Sequence, residues 1–243
     1  MPNLLSLAIP HGPIWAIEEA AAMQLQSVLS GIDAQAHRDE FEARGGGSLD
    51  PRQLGVDVQD GVAIVSIVGP MTKSPTSFDP GASTVLARRQ IRAAAADDAV
   101  RAILLRIDSP GGSVSGTDDL AQDVAAARGK KPCYAYIEDM GCSAAYWVAS
   151  QCNKVFASKT ALVGSIGTYM ALTDYSRMAE NAGIRVHVIS TGKLKGAGVP
   201  GAPITDEQLA SFKQTVDDLN AHFLAAVAKG RRMARAKVEA LAD

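Results

Sequence analysis

Cysteine is scarce in this chain of 243 residues: Cys133, Cys142 and Cys152 are all there are. The number is odd, no Cys-x-x-Cys pair occurs and no histidines cluster near them. That pattern argues against a disulfide framework or a zinc site and fits a reducing compartment, with no metal or cofactor implied. Histidine is equally sparse. His11 and His37 lie in the first 50 residues, His187 in a strand-like run and His222 on the polar side of a helical pattern. None sits on a loop suited to serve a nucleophile, so a Ser-His-Asp triad is poorly supported. Charge of one sign is also lacking. The formal net charge of −2 gives no ground for nucleic-acid or anionic-membrane binding, and the basic run Lys229 to Arg235 reads as a solvated helix face. No apolar run approaches the roughly 18 residues needed to span a bilayer. The N-terminus has neither a basic n-region nor a continuous apolar core, so no signal peptide is expected. A soluble cytoplasmic protein is the expectation.

What is present is an ordinary globular balance, 47% hydrophobic and 21% charged, enough for one substantial core. Residues 1–50 read as an appendage: prolines at 2, 10 and 13, a helical pattern from Ile14 to Leu29, and the linker-like Arg44-Gly45-Gly46-Gly47-Ser48. A pro-segment, an arm docking on a neighbour and a partly disordered tail all fit. Residues 51–243 read as the main domain. Val62 to Val68 is a β-rich run, and Ser83 or Thr84 caps a helix to about Ala96. Val100 to Ile107 has the continuous apolar character of a strand buried on both faces. A helix follows from about Gly116 to Ala127. Strands are then expected at Pro132 to Ile137 and Lys154 to Ala157, with a helix over Ser143 to Ser150 between them. Val163 to Thr168 is a glycine-punctuated strand or bend. Thr173 to Ala182 reads as a helix, Arg185 to Ser190 as a strand and Gly192 to Gly201 as a mobile loop. Thr205-Asp206-Glu207-Gln208 is a capping box opening a long amphipathic helix. Strands alternating with helices imply repeated βαβ units, hence an α/β fold with a mostly parallel sheet.

Three stretches carry chemistry. Asp108-Ser109-Pro110-Gly111-Gly112 closes a parallel strand, at the sheet edge where open α/β folds place ligands. Its glycines allow positive φ and close approach, so their amides can converge on an anion; a plain tight turn is the alternative. Ser143 follows the next strand and starts a helix, with small neighbours Gly141, Ala144 and Ala145. It is either a nucleophile, with the Ala144 amide facing the same pocket, or an ordinary N-cap. Cys142 is the poorer nucleophile beside it. Lys193 and Lys195 lie in Gly192-Lys193-Leu194-Lys195-Gly196, which does not match phosphate-binding P-loop spacing. A lysine can act as base if desolvation keeps its amine neutral.

In order and spacing, Asp108 to Gly112, the Ser143 segment with Tyr146-Trp147, Val163-Gly164-Ser165-Ile166-Gly167 and Gly192 to Lys195 resemble the signal peptide peptidase A family of serine peptidases. The likeness runs from about Gly61 to Ala228 and is nearest the phage and prophage capsid-assembly, or head-maturation, proteases. It implies a Clp-protease/crotonase-like fold and a Ser-Lys catalytic dyad. Ser143 would be the nucleophile, Lys195 the general base and Ser165 the hydroxyl orienting the lysine. The amides of Gly111 or Gly112 and of Ala144 would form the oxyanion hole, and Lys193 would be solvated. The resemblance also implies polypeptide substrates, among them capsid or scaffold proteins, and a homo-oligomeric ring with sites completed at subunit borders. The chain departs from the family at Ala144-Ala145, where Gly-Gly is common, and it stops short of the usual C-terminal ending, so C-terminal truncation is expected. Three other readings remain: a soluble signal-peptide-degrading peptidase, a catalytically idle scaffold-binding protein and a crotonase-type acyl-CoA enzyme.

Overall fold

The computed structural model describes residues 15–17, 56–75 and 81–242. Its main sheet is built from β2 (Asp57–Gln59), β3 (Val62–Val68), β6 (Ala102–Ser109), β8 (Cys133–Cys142), β9 (Lys154–Ala157) and β10 (Leu162–Gly164). The spatial order is β10-β8-β6-β3-β2, with β9 also pairing β8. Every pairing is parallel except β2 with β3. A smaller sheet has the order β1-β7-β4-β5, from β1 (Trp15–Ile17), β7 (Gly111–Ser113), β4 (Met71–Thr72) and β5 (Ala82–Ser83). The α/β class and mostly parallel sheet expected from the alternating pattern are what the chain forms.

Side chains on a strand alternate between faces, and here one face carries the core. Ala63, Val65, Ile67, Ile103, Leu105, Ile107, Cys133, Ala135 and Ile137 are buried in register. The opposite face is half open, with Ser66 and Arg106 exposed. The expectation that the strand from Val100 was buried on both faces is therefore corrected: Arg106 pairs with Glu138 of β8 at 2.9 Å on the open side. Helices α1 (Thr84–Ala96), α2 (Thr117–Ala127) and α3 (Ala144–Ala149) cover the buried face, through Ala87, Ile91, Leu120, Val124, Trp147 and Val148. Ser83 caps α1 by accepting the Leu86 N–H at 3.2 Å.

The short helix α4 (Ser176–Asn181) begins later than expected, because Asp174 Oδ1 accepts the Ser176 N–H and makes a turn of the preceding residues. Hydrogen bonds from the Ser176 hydroxyl and amide hold the Asp174 carboxyl below its ordinary range. The strand expected at Arg185 to Ser190 does not form. A strand needs a backbone partner, and among the described residues none lies beside it, which leaves Ile189 97% exposed. The helix expected over Ile14 to Leu29 is corrected where it is described: Trp15–Ile17 is a strand on β7, an available edge overriding local periodicity. The rest of that pattern, and the glycine linker, lie outside the described residues.

The long helix α5 (Asp206–Arg231) opens with the expected capping box, Thr205 with Gln208. It is followed by α6 (Arg235–Glu239). Its Phe223 stacks on Trp147 of α3, ring centroids 4.6 Å apart and planes 9° from parallel. Gly230 lies so close to the Ser150 carbonyl that a Cβ would come within 2.4 Å of the oxygen. Gln151 donates to the Ala226 carbonyl across the same contact. The three cysteines are buried and form no disulfide with one another, and contact with Cys133 together with burial pushes the Cys152 thiol up. Among the described residues no helix is long and apolar enough to cross a membrane.

Because Trp147 and Phe223 are both fully buried, Phe223→Ala should lower the unfolding free energy by about 3–5 kcal/mol. Urea titration measures this, and a midpoint unchanged from wild type would contradict the packing described.

Candidate active site

The site is assembled at the carboxyl ends of β6, β8 and β10. Strand β8 runs on past the Ile137 that was expected to end it, because its second half finds its own partners. Met140, Gly141 and Cys142 pair with Leu162, Val163 and Gly164, and Gly141 also faces Ser109 of β6. Gly141 has no room for a side chain: a Cβ would come 2.5 Å from the Ile137 Cδ1. The sheet therefore delivers the chain to Ser143 along a close-packed path.

At Ser143 strand turns into helix in one step. Its φ of 52° and ψ of −119° lie outside the regions that L-residues normally occupy. Such a conformation costs about 1–3 kcal/mol and persists only where the surroundings enforce it. Two bonds do so here. The Ser143 N–H donates to the Gly164 carbonyl at 2.7 Å, and the Ser143 carbonyl accepts the Trp147 N–H at 2.9 Å. Ala144 and Ala145 behind it are fully buried. Ser143 occupies the N-cap position of α3, yet its hydroxyl makes no capping bond. The Oγ instead points toward the Gly167 carbonyl, at a long 3.4 Å. The residue is 1% exposed.

Ser165 directly follows Gly164, whose carbonyl anchors Ser143, so the two serines share one end of the sheet. It too has a positive φ, 49°, and it is exposed.

The strand-end glycines lie close by. Ser109, fully buried at the end of β6, donates its hydroxyl to the Gly69 carbonyl at 2.7 Å and accepts the Gly111 N–H at 3.2 Å. One hydroxyl thus ties the β3–β4 turn to the start of β7. Gly111 has φ 101°, and at Gly112 a Cβ would fall 2.0 Å from the Met71 carbonyl oxygen. Only glycine lets β7 lie this close to β4. Helix α3, which begins with Ala144, packs against β7, so the Ala144 and glycine-strand backbones border one region. The sequence pointed to the glycines but not to Ser109, whose position just before Pro-Gly-Gly was the available signal.

The lysine loop is not joined to this cluster within the chain. Lys195 is exposed in a series of turns, and among the described residues no hydrogen bond or ion pair links it to Ser143 or Ser165. Lys193 is 3.5 Å from Glu207 at the start of α5, its side chain 82% exposed. The structure brings together Ser143, Ser165, Ala144, Gly111 and Gly112, and leaves both lysines outside.

Residues 125–243 match peptidase family S49. The chain is 33% identical over 173 residues to the capsid assembly protease C of Escherichia phage lambda, covering 69% of this chain and 39% of the phage protein. It is 32% identical over 198 residues to the head-tail preconnector protein GP5 of Enterobacteria phage P21, covering 79% and 38%. Protease 4 of Salmonella typhi is 29% identical over 155 residues, 63% of this chain and 25% of that protein. The chain thus spans less than half the length of each of these three relatives. A solved enoyl-CoA hydratase/isomerase family member overlaps 54% of this chain and 52% of its own at 19% identity and a TM-score of 0.37, too distant a likeness to inform the site.

Removing the Ser109 hydroxyl leaves the Gly69 carbonyl and the Gly111 amide without their partner. Ser109→Ala should cost about 1–3 kcal/mol, read by chemical denaturation. Unchanged stability would contradict a structural role for this bond pair.

Proposed function

We infer, for a chain that carries a peptidase family S49 domain, that it is a serine endopeptidase whose nucleophile is Ser143. The observation that carries the assignment is the strained turn at Ser143, with a hydroxyl that caps nothing at the end of a parallel strand. A serine that merely starts a helix has no need of that backbone, whereas a nucleophile is presented by it. The relatives named as proteases support the same reading.

In the reaction, Ser143 Oγ attacks the scissile carbonyl carbon while a neutral lysine amine, that of Lys195, takes the hydroxyl proton. The tetrahedral oxyanion is met by the Ala144 amide and by Gly112. The Gly111 N–H already donates to Ser109, which favours Gly112 as the strand donor. Losing one such donor typically costs about 3 kcal/mol of barrier. The lysine then gives its proton to the leaving amine, the C–N bond breaks, and water hydrolyses the acyl-enzyme by the reverse sequence. Ser165, at the same sheet end, orients the amine.

Lysine can accept a proton only once it is taken out of water. In the single chain Lys195 is exposed, and so are Ile184, Val188, Ile189 and Leu194 in the same stretch. Several large apolar side chains exposed along one stretch suit burial against another protein surface. The reading that joins these facts is a homo-oligomer in which one copy's lysine loop closes on the next copy's Ser143. By similarity to the lambda and P21 proteins, the substrates are capsid or scaffold polypeptides.

Ser143→Ala and Lys195→Ala should each abolish cleavage of an unfolded polypeptide while leaving the circular dichroism spectrum unchanged. Mixing the two inactive proteins should restore part of the activity, since some sites then pair an intact serine with a neighbour's intact lysine. Full activity in either single variant would contradict the dyad. Two inactive variants that do not complement would place the base within the same chain.

A further inference from the structure

Strand β1 occupies a telling position. Trp15–Ile17 lies antiparallel on β7, with Trp15 opposite Ser113, Ala16 opposite Gly112 and Ile17 opposite Gly111. These are the residues that border the Ser143 turn. In the order β1-β7-β4-β5, β1 is the outermost strand, so without it β7 would be the sheet's edge. A free edge strand offers its unpaired N–H and C=O groups to any extended polypeptide. The backbone of this segment therefore fills the place beside the glycine strand that an extended chain approaching Ser143 would need. Gly111, Gly112 and Ser113 are all buried in this arrangement, as is Ser143.

We propose that Trp15–Ile17 is an internal competitor for polypeptide binding, a resident strand that must leave β7 before an extended substrate can pair with it. The idea rests on the peptidase reading for its consequence but not for its geometry, which is the pairing of β1 with β7. The described pairing covers three residues and holds β1 from one side only, a short edge contact of the kind that opens locally at low cost. The competitor is thus displaceable. It lowers affinity by the fraction of time that β7 is uncovered, because the apparent dissociation constant is the intrinsic one divided by that fraction. It need make no contact with the hydroxyl of Ser143.

The pairing can be broken without touching the site. Along a strand successive N–H groups point to opposite sides, so of Ala16 and Ile17 one donates toward β7. The double variant Ala16→Pro, Ile17→Pro removes that donor whichever it is, and proline is poorly accommodated in a paired strand. Ala16→Gly, Ile17→Gly weakens the strand by a different route, through backbone freedom. Hydrogen exchange of the full-length protein, read by mass spectrometry over residues 109–115, should show loss of protection in both variants. Should β7 be uncovered about a tenth of the time in wild type, KM for an unfolded polypeptide substrate should fall about tenfold with kcat unchanged. Titrating a fluorescent extended peptide into the Ser143→Ala protein, with and without the proline pair, reads the same shift with no chemistry involved. Tighter peptide binding in the proline variant supports the competitor even in the absence of any peptidase activity, a result that would overturn only the functional assignment. Unchanged exchange over 109–115, or equal peptide affinity and equal KM in wild type and variants, would overturn the competitor and leave the peptidase assignment intact.

Discussion

One backbone turn organises the site, the step from β8 into α3 at Ser143. A non-glycine residue at φ 52° and ψ −119° is unfavourable by itself, so the rest of the structure must hold it there. It does so by a bond on each side: Gly164 of β10 accepts the Ser143 amide, and the first turn of α3 bonds its carbonyl. Behind the turn, Trp147 is locked by the stack on Phe223, so that α5, far along the sequence, helps fix where α3 begins. The small residues are the condition for all of this. A side chain at Gly141 would collide with Ile137, and Ala144 and Ala145 have no exposed surface into which a larger group could extend.

A second constraint works through the glycine strand. Ser109 joins the Gly69 carbonyl to the Gly111 amide, and Gly112 is pressed against Met71 of β4. Together these place a three-residue strand beside the helix that carries the serine. That strand is where backbone amides and an approaching polypeptide would meet, and it is also where the chain's own residues 15–17 lie. The proposed oxyanion donor and the proposed point of substrate access thus share one short segment. The lysine differs. Its loop is tied to the start of α5 by the Gln208 side chain, which donates to the Lys193 carbonyl at 3.1 Å, and among the described residues no hydrogen bond or ion pair joins it to the serine.

Where local pattern and tertiary demand agree, the fold was legible in the sequence. The cap at Ser83, the capping box at Thr205 and Gln208, the β-rich run Val62 to Val68 and the strand Lys154–Ala157 follow from short-range rules. The reading failed where pairing decides. Arg185 to Ser190 has the composition of a strand but, among the described residues, no strand beside it, and Trp15–Ile17 has helical periodicity but meets an open edge. The sheet's half-open face was also missed, since Leu104 reads as apolar whether or not a layer covers it, although Arg106 two residues on marked the open side. Of the candidate site, the glycines were legible because close approach and positive φ constrain that residue type, whereas local pattern left Ser143 open between nucleophile and N-cap. Ser109 was missed despite its place before Pro-Gly-Gly, because its role depends on the Gly69 carbonyl, 40 positions away in sequence.

The central claim is that Ser143 is held in its turn as a nucleophile and not as a helix cap. Exposure of the full-length protein to a peptidyl phosphonate, followed by proteolysis and mass spectrometry, tests it directly. The account predicts a covalent adduct on the peptide containing Ser143, absent after Ser143→Ala and after prior unfolding. An adduct confined to other residues, in a protein whose peptidase activity is nevertheless blocked, would contradict it.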